Sequence, residues 1–503
     1  MNRSNSNTKR GRTRPLKTQI AAALKAPLAV AVLGFGAMQA HADTLWEIYL
    51  QALDNDPQLA ADHAAYEAGL EAKNLGRSAL LPQINASAEA ARSKVDASRV
   101  QTQGTEVNGQ TGLVSYPIDS SADTDDRVYS ANLTQKLFDA SAWFDYKQGK
   151  KLSEEAAAQF SSAQQGMMLR VATAYFNVLR AYDVLEAQRA EEEALAKQLE
   201  QTQQRFQVGL TAITDVYDSR AAYDSAVARR LTAQDDLLSN FDALTVLTGQ
   251  PHDTVAPLME NFAAAAPEPA DRSAWVDFAL ANNFDLKAAR LAADAARYNA
   301  RAAASDHLPT LTGSLTYRKD YSDGDQDVTA LGDVNRFPID DQIETKVAAI
   351  TLNVPIYSGG GISASRRQAR NQSFQAEDLR NLTERNTIQD TRTLHRAVVT
   401  DVSRVAAREQ AVVSAESALK ATQAGYEVGT RNIVDVLLAE RTLAANRTDY
   451  ANALYDYILN TLNLKRVAGL LAPDDLQQLE ADLNPARPVA RVAETSVKAS
   501  PIK

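Results

Sequence analysis

The chain has 503 residues, with 53 Lys and Arg against 63 Asp and Glu and a formal net charge of −10 at pH 7, which argues against nucleic acid as a partner. It contains no cysteine, which excludes disulfides, thiol nucleophiles, cysteine-based metal sites and a lipid-modified N-terminal cysteine. The composition is even from residue 44 to 480, so one large architecture is predicted rather than a series of modules.

Residues 1–42 have the pattern of a cleavable secretory signal peptide. A long basic segment precedes an apolar stretch at 26–38, and an A-x-A cleavage sequence occupies 40–42, so the mature chain is predicted to begin near Asp43. The alternative, a transmembrane anchor, needs roughly 20 apolar residues, more than this stretch provides. No later segment offers about 18 uninterrupted apolar residues, so a membrane span in the mature chain is predicted to be a β-barrel.

Two pairs of strands are predicted from the alternation of apolar and polar residues. The apolar positions are Ile84, Ala86 and Ala88, then Tyr129, Ala131, Leu133 and Leu137, then Leu311, Gly313, Leu315 and Tyr317, then Ala348, Ile350, Leu352, Val354 and Ile356. Each strand is predicted to be about ten residues long, enough to cross a bilayer in a tilted barrel. The Gly-, Asp- and Ser-rich stretches 93–127 and 319–344 are predicted to be long surface loops. A soluble sandwich is the alternative, but so long a chain would then be expected to have more than four strands.

A long helix follows each strand pair. Prolines are absent between Pro117 and Pro251 and between Pro355 and Pro473, so helices can run there without a break. The first helix would cover about 70 residues, on the order of 105 Å. Its apolar residues follow a 4,3 spacing, which predicts coiled-coil packing without a ligand role. These residues are Val171, Tyr175, Val178, Tyr182 and Leu185.

Each long helix is predicted to end at a glycine, Gly209 in the first half and Gly429 in the second. A second helix begins near Thr214 or Ile433 and returns along the first. Each half is therefore predicted to form a helical hairpin with a tight tip.

The two halves follow one plan. The pattern V-G followed by I-x-D-V at 208–216 recurs at 428–436, and other pairs of matching segments keep the same order along the chain. The sequence thus predicts two tandem repeats, residues 43–250 and 273–466, each with a helix, two strands and a long helical hairpin.

Four strands cannot close a barrel, and open strand edges are not tolerated in lipid, so one chain cannot span a membrane alone. Two chains would supply eight strands, whose interior is normally filled by side chains. Three chains would supply twelve strands, which makes a homotrimer the smallest assembly predicted to have a lumen.

Four segments resemble the TolC-like outer membrane efflux protein family. They are residues 205–216 (RFQVGLTAITDV) and 425–436 (GYEVGTRNIVDV), which resemble the paired tip motifs, with 46–49 (WEIY) and 354–357 (VPIY). The resemblance covers nearly all of the mature chain to residue 480. It implies a mixed α and β membrane protein, a trimeric 12-stranded transmembrane β-barrel continuous with a long periplasmic α-helical coiled-coil barrel. Residues 251–272 would form an equatorial linker, and 467–503 an equatorial segment and disordered tail.

The same resemblance implies a function. The protein would be the outer-membrane exit duct of tripartite efflux or type I secretion machinery, in contact with outer-membrane lipid and with a large periplasmic portion. A periplasmic adaptor protein and an inner-membrane transporter of the RND or ABC type would open its periplasmic tip.

The family pattern also assigns a latch at the tip. Tyr426 would bond near Thr214, and Arg431 would pair with Asp215, so that polar links hold the second hairpin to the first. Arginine suits this role because its fixed fork of donors holds a carboxylate in one orientation. An ordinary set of surface charges at a helix turn is the alternative interpretation of these residues.

Two further sets of tip residues take roles from the resemblance. Asp435 falls at an acidic ring around the entrance, but Leu438 replaces the second acid of the family pattern, and Asp218 of the first hairpin is expected to restore some negative charge. The residues expected to dock the adaptor are Val208, Gly209, Leu210, Val428, Gly429 and Thr430.

No pattern in the sequence indicates catalytic chemistry. The five histidines are far apart and form no metal-binding spacing, and no nucleophile or phosphate-binding motif occurs, so no metal, no cofactor and no enzyme activity are predicted. The main alternative function is a soluble periplasmic coiled-coil adaptor or scaffold, which should lack the two amphipathic strand pairs. An autonomous secreted enzyme would need a clustered set of catalytic residues.

Overall fold

The computed structural model describes residues 42–107 and 110–491. The predicted signal peptide, apart from Ala42, and the end of the predicted tail beyond residue 491 lie outside the described residues. The first elements are α1 (Leu45–Asn55), α2 (Pro57–Ser78), β1 (Gln83–Val107), β2 (Gln110–Phe138), α3 (Ala140–Gln207), α4 (Ile213–Thr248) and β3 (Thr254–Val255). The remaining elements are α5 (Arg272–Asn282), α6 (Phe284–Ser305), β4 (Thr310–Ala330), β5 (Asp333–Asn353), α7 (Gly361–Glu427), α8 (Ile433–Val467), α9 (Pro473–Glu480) and β6 (Val489–Ala490).

Several helices start at side chains that bind their free N–H groups. Thr44 and Glu47 form a reciprocal capping box at α1, and Asp56 caps α2 just before a proline. Asp139 accepts the N–H of Ala142 at 3.0 Å and so starts α3 immediately after β2. Within the described residues, the helices include none that combines the length and apolarity needed to cross a membrane.

The core lies around the middle of α3. This helix packs against α2 and α6 over one part of its length and against α4 and α8 over another. Of the residues in the predicted 4,3 spacing, Val171, Tyr175, Val178 and Leu185 are fully buried. The hydroxyl of Tyr455 on α8 donates to Asp183 of α3, with 2.7 Å between the oxygens. Apolar packing and a buried hydrogen bond therefore join the helices of the two halves.

The four long strands form one antiparallel sheet in the order β1-β2-β4-β5, while β3 and β6 pair in a separate small sheet. The pairing of β1 with β2 runs without a break from Gln83 opposite Thr134 to Val107 opposite Gln110. β4 and β5 are joined at Leu331 and Gly332, both with positive φ. Two positive φ values in a two-residue connection match the twist of the strands that it joins.

The prediction of long surface loops at 93–127 and 319–344 is wrong, and so is the prediction of strands about ten residues long. The strands have 25, 29, 21 and 21 residues, and these stretches lie within them, apart from 108–109, which the structure does not describe, and the turn at 331–332. Composition misled because Gly favours the positive φ values of turns, and Asp and Ser side chains commonly bind the backbone there. Here their backbone groups bond to the next strand.

Polar side chains also pair across the strands in these segments. Arg92 donates from Nε to Asp123 Oδ1 at 3.1 Å, and Ser93 Oγ lies 2.7 Å from Thr124 Oγ1. Such cross-strand pairs stabilise a sheet as apolar pairs do. The polar parts of both β-hairpins, β1 with β2 and β4 with β5, are therefore regular β-structure without an apolar face.

Candidate functional site

The first helical hairpin turns at Gly209, which has a φ of +78°. Its N–H donates to Phe206 O at 2.9 Å, and the N–H of Leu210 donates to Arg205 O at 2.8 Å. These bonds satisfy carbonyls at the end of α3, and only glycine adopts the required backbone conformation without strain. α4 then starts at Ile213.

The second hairpin is built in the same way. Gly429 has a φ of +80°, and the N–H of Thr430 donates to Gly425 O at 2.8 Å. The side chain of Asn432 accepts the N–H of Asp435 at 2.8 Å and thereby starts α8. Both tips therefore place an aspartate in the first turn of the returning helix.

Each of these aspartates binds a side chain four residues earlier in its own tip. Thr211 Oγ1 donates to Asp215, and Thr214 Oγ1 reaches the same carboxylate at 3.5 Å. Arg431 Nη1 lies 3.7 Å from Asp435 Oδ2. The side chain of Arg431 is 61% exposed, so this pair contributes about 1 kcal/mol or less.

Within one chain, the predicted latch contacts are not made as the resemblance implied. Arg431 pairs with Asp435 rather than Asp215, because the two lie one turn apart at the start of α8. The hydroxyl of Tyr426 has no hydrogen-bond partner among the described residues, and thus no bond to Thr214. The Tyr426 ring instead points inward, where it packs in a small apolar cluster of its own tip.

The two hairpins do meet at Tyr426, through a residue that the sequence did not single out. The guanidinium of Arg205, in the last turn of α3, lies over the Tyr426 ring, with its central carbon 4.9 Å from the ring centroid. Tyr426 is only 7% exposed, and Arg205 Nε is buried without a hydrogen-bond partner in the described chain. A cation above a buried ring is attracted by the negative face of the ring. Arg205 therefore links the first hairpin to the second.

Polar groups continue along the hairpins behind this contact. A cavity of about 480 Å³ is lined by Tyr426, Gln423, Glu440 and Lys197, among others. Gln423 donates to Glu440 at 2.9 Å. Burial raises the pKa of the Glu440 carboxyl, nearby Glu191 raises it further, and the bond from Gln423 opposes both. Next to the tips, the hairpins thus meet through partly buried polar groups, whereas the apolar contacts between them lie farther along α3 and α8.

The outer surface of the tips is apolar. Val208, Leu210 and Val428 are 69%, 68% and 75% exposed. Leu438 is also exposed, as is Asp218, while Asp435 is partly covered. Among residues 42–107 and 110–491, no cluster of three or more acidic or histidine side chains is arranged to hold a metal ion.

Comparison with known proteins connects this geometry to one family. The family described as "Outer membrane efflux protein" matches residues 48–250 and 275–470. The outer membrane protein TolC of Vibrio cholerae is 38% identical over 459 residues, which cover 91% of this chain and 98% of that protein. The alkaline protease secretion protein AprF of Pseudomonas aeruginosa is 30% identical over 436 residues, 86% of each chain.

A solved structure shows the same fold. The outer membrane protein VceC of Vibrio cholerae matches with a TM-score of 0.66 at 20% identity, over 84% of this chain and 96% of that one. The fold is helix-rich with mixed α and β structure, as expected from the sequence. The chain belongs to the outer membrane efflux protein family.

Proposed function

We propose that three copies of this chain form an exit duct across the outer membrane, with a twelve-stranded barrel and a periplasmic helical tunnel built from two tandem repeats. The broader function, an outer-membrane channel of the efflux and type I secretion class, follows from the family and from relatives such as TolC and AprF.

The observation that carries the proposal is an exposed apolar face on the four-stranded sheet, at the end next to the helices. Ile84, Leu315, Ile350 and Leu352 are 72%, 54%, 73% and 63% exposed. The apolar rows continue to the pair of Tyr317 with Lys346, beyond which charged side chains take over. Six residues of strand span roughly 20 Å, which the tilt of a membrane barrel reduces to roughly 15 Å of height, more than half of the roughly 25 Å apolar band. Lipid would cover this face.

Closure of the barrel requires further copies. β1 and β5 lie at the two edges of the sheet, and one edge of each strand has no partner strand among the described residues. Pairing β5 of one copy with β1 of the next, three times over, removes every edge and supplies twelve strands. The same operation would enclose a lumen.

The gate is proposed to lie at the tips, where copies converge. Tyr426 and Arg431 would complete their contacts with Thr214 and Asp215 of a neighbouring copy. The large exposure of Arg431 supports this, whereas the Tyr426 hydroxyl, buried without a partner in the described part of one chain, would have to turn outward to reach Thr214. Arg205 adds a link within each chain.

The entrance inside this gate would be acidic. Asp435, repeated three times, would form the acidic ring, with Asp218 contributing from the first hairpin. Three carboxylates around one axis attract cations and repel one another. Because Arg431 lies 3.7 Å from Asp435 in the same chain, part of the negative charge of the ring is compensated.

The outer surface of the tips would dock the periplasmic adaptor, which brings the inner-membrane transporter, of the RND or ABC type. The exposed Val208, Leu210 and Val428, beside Gly209, Gly429 and Thr430, offer this surface. Exposed apolar groups concentrated at one place commonly mark a protein contact. Among the relatives, AprF is named as a secretion protein for alkaline protease, and TolC is named as an outer membrane protein.

A matched pair of variants tests the membrane assignment. Ile350→Arg places a charge on the proposed lipid face at a cost of roughly 2–4 kcal/mol near the middle of a bilayer. Thr351→Arg places it on the opposite face of the same strand. The first variant should lose the heat-resistant trimer extracted from outer membranes by detergent, and the second should keep it.

Two results would reject the duct. Equal tolerance of both variants would mean that the apolar face does not meet lipid. Release of the parent protein by osmotic shock would instead place it in the periplasm, as for a soluble adaptor or scaffold.

A further inference from the structure

A cleft between α5 and α7 brings together three arginines that form no ion pair with the residues that the structure describes. Its volume is about 670 Å³. Arg272 lies at the start of α5, and Arg392 and Arg396 lie one turn apart on α7. Like charges one turn apart on a helix repel each other. Such an arrangement is stabilised when an anion lies between the charges.

Other arginines of the same helix are neutralised by carboxylates. Arg404 lies 2.7 Å from Asp401, and Arg408 lies 2.9 Å from Asp449. Among the described ion pairs, by contrast, none involves the three arginines of the cleft; Arg396 makes only a long contact of 3.4 Å with a threonine hydroxyl. The chain therefore leaves cations unpaired where the cleft opens.

The two acids of the cleft, Asp271 and Asp277, compensate for the charge of the three arginines only in part. Asp271 caps α5 by accepting the N–H of Ser273 at 3.1 Å and the hydroxyl of the same residue. These bonds are the main reason why the pKa of Asp271 is lowered, and the nearby His395 contributes. Asp277 forms no ion pair among the described residues. Since Asp271 already binds the first N–H groups of α5, an anion would be held by side chains rather than by the helix terminus.

A buried histidine supplies an independent sign of a missing ligand. His395 lines the cleft, is 6% exposed, and has its Nε2 buried without a hydrogen-bond partner in the described chain. A buried polar atom without a partner destabilises the folded state, whereas a ligand that bonds to it removes that penalty. His395 lies on α7 between Arg392 and Arg396 in sequence, on the same side of the helix.

We propose that this cleft binds a multivalent oxyanion that carries phosphate or carboxylate groups. Arg392 and Arg396 would hold it from α7, Arg272 from α5, and His395 from the floor of the cleft. The planar guanidinium fork matches both kinds of oxyanion.

The position of the cleft favours a free anion over a lipid headgroup. Arg392 lies 31 residues after the start of α7 at Gly361, which corresponds to roughly 46 Å along the helix. This step alone rests on the proposed function, which places the bilayer around the strands.

Calorimetric titration of the full-length protein in detergent tests the site, with inorganic phosphate and citrate as separate probes. The parent should bind both saturably, with one site per chain. The double variant Arg392→Ala/Arg396→Ala should raise both Kd values at least tenfold. Arg385→Ala, which removes an exposed arginine of α7 outside the cleft, should leave them unchanged. Arg272→Gln, on the other helix, should weaken binding severalfold and serves if the double variant does not assemble.

Three results would overturn the proposal. The first is the absence of saturable binding to the parent, as expected if a second copy fills the cleft. The second is an equal loss in Arg385→Ala, which would indicate diffuse attraction. The third is binding that requires phosphatidylglycerol rather than phosphatidylcholine in nanodiscs, which would identify a headgroup as the ligand. Equal affinity in both lipids supports a free anion.

Discussion

The contact between Arg205 and Tyr426 should hold the tip closed, and Arg205→Gln removes it. A cation over an exposed ring contributes about 0.5–1 kcal/mol, and one over a desolvated ring about 2 kcal/mol. Tyr426 is 7% exposed and Arg205 Nε is buried, so about 1–2 kcal/mol per chain is expected. If three copies open together, the loss sums to roughly 3–6 kcal/mol, a shift of about two to four orders of magnitude toward the open state.

Single-channel conductance of the purified protein in planar bilayers measures this shift. Arg205→Gln should conduct far more than the parent, and it should have a smaller effect in a Tyr426→Leu background, because both substitutions remove the contact between Arg205 and Tyr426. Arg189→Gln is the control, since among the described residues Arg189 forms its ion pair only with Glu186 of its own helix, at 2.7 Å. Parental conductance in Arg205→Gln, or effects that add fully in the double variant, would refute the link.

Three other outcomes are expected. Burial raises the pKa of Asp183 from 3.8 to about 6. The stabilising contribution of its protonated form is therefore complete below pH 3.8 and lost as the pH rises through 6. Asp183→Asn should remove this pH dependence of the thermal midpoint, which corresponds to roughly 3 kcal/mol of folding free energy. Gly209→Ala and Gly429→Ala should each cost about 1–2 kcal/mol by the same measurement, because both positions have a positive φ. Asp435→Asn should weaken block of the channel by divalent cations, whereas Arg431→Ser should strengthen it severalfold.

Two of these outcomes have matched controls. Glu200→Gln, at an exposed position of α3 far from Asp183, should keep the parental dependence on pH. Gly166→Ala lies inside α3 without a positive φ and should be neutral or stabilising by about 0.5–1 kcal/mol. Parallel curves for Asp183→Asn and the parent, or equal losses for all three glycine variants, would contradict the reasoning. So would unchanged cation block in both tip variants.

Sequence patterns located the helices and the apolar ends of the strands but not the length of the strands. Alternation is visible where one face is apolar, as at Leu315 and Ile350, and disappears where both faces are polar. The pairs Arg92 with Asp123 and Ser93 with Thr124 are bonds between strands, and composition carries no information about them. The register that aligns them became visible only in the folded sheet.

The candidate site was predictable to a similar extent. The glycines at 209 and 429 mark the turns because a positive φ leaves a local trace in sequence. The stacking of Arg205 on Tyr426 leaves none, since it joins two hairpins whose sequences are far apart. The repeat offered one signal, because the residue of the first tip that corresponds to Tyr426 is Phe206. The two tips therefore differ at a residue through which they touch.

The two tips also differ in how deeply their corresponding apolar side chains are buried. In the second tip Tyr426 and Ile433 are 7% and 2% exposed, whereas the corresponding Phe206 and Ile213 of the first tip are 41% and 42% exposed. Full burial of a large apolar side chain contributes about 1.5–3 kcal/mol. The second tip is therefore packed internally, and in the proposed gate it would move as one body. The apolar side chains of the first tip would become buried only under another surface, so we expect the first tip to be the better docking surface for an adaptor.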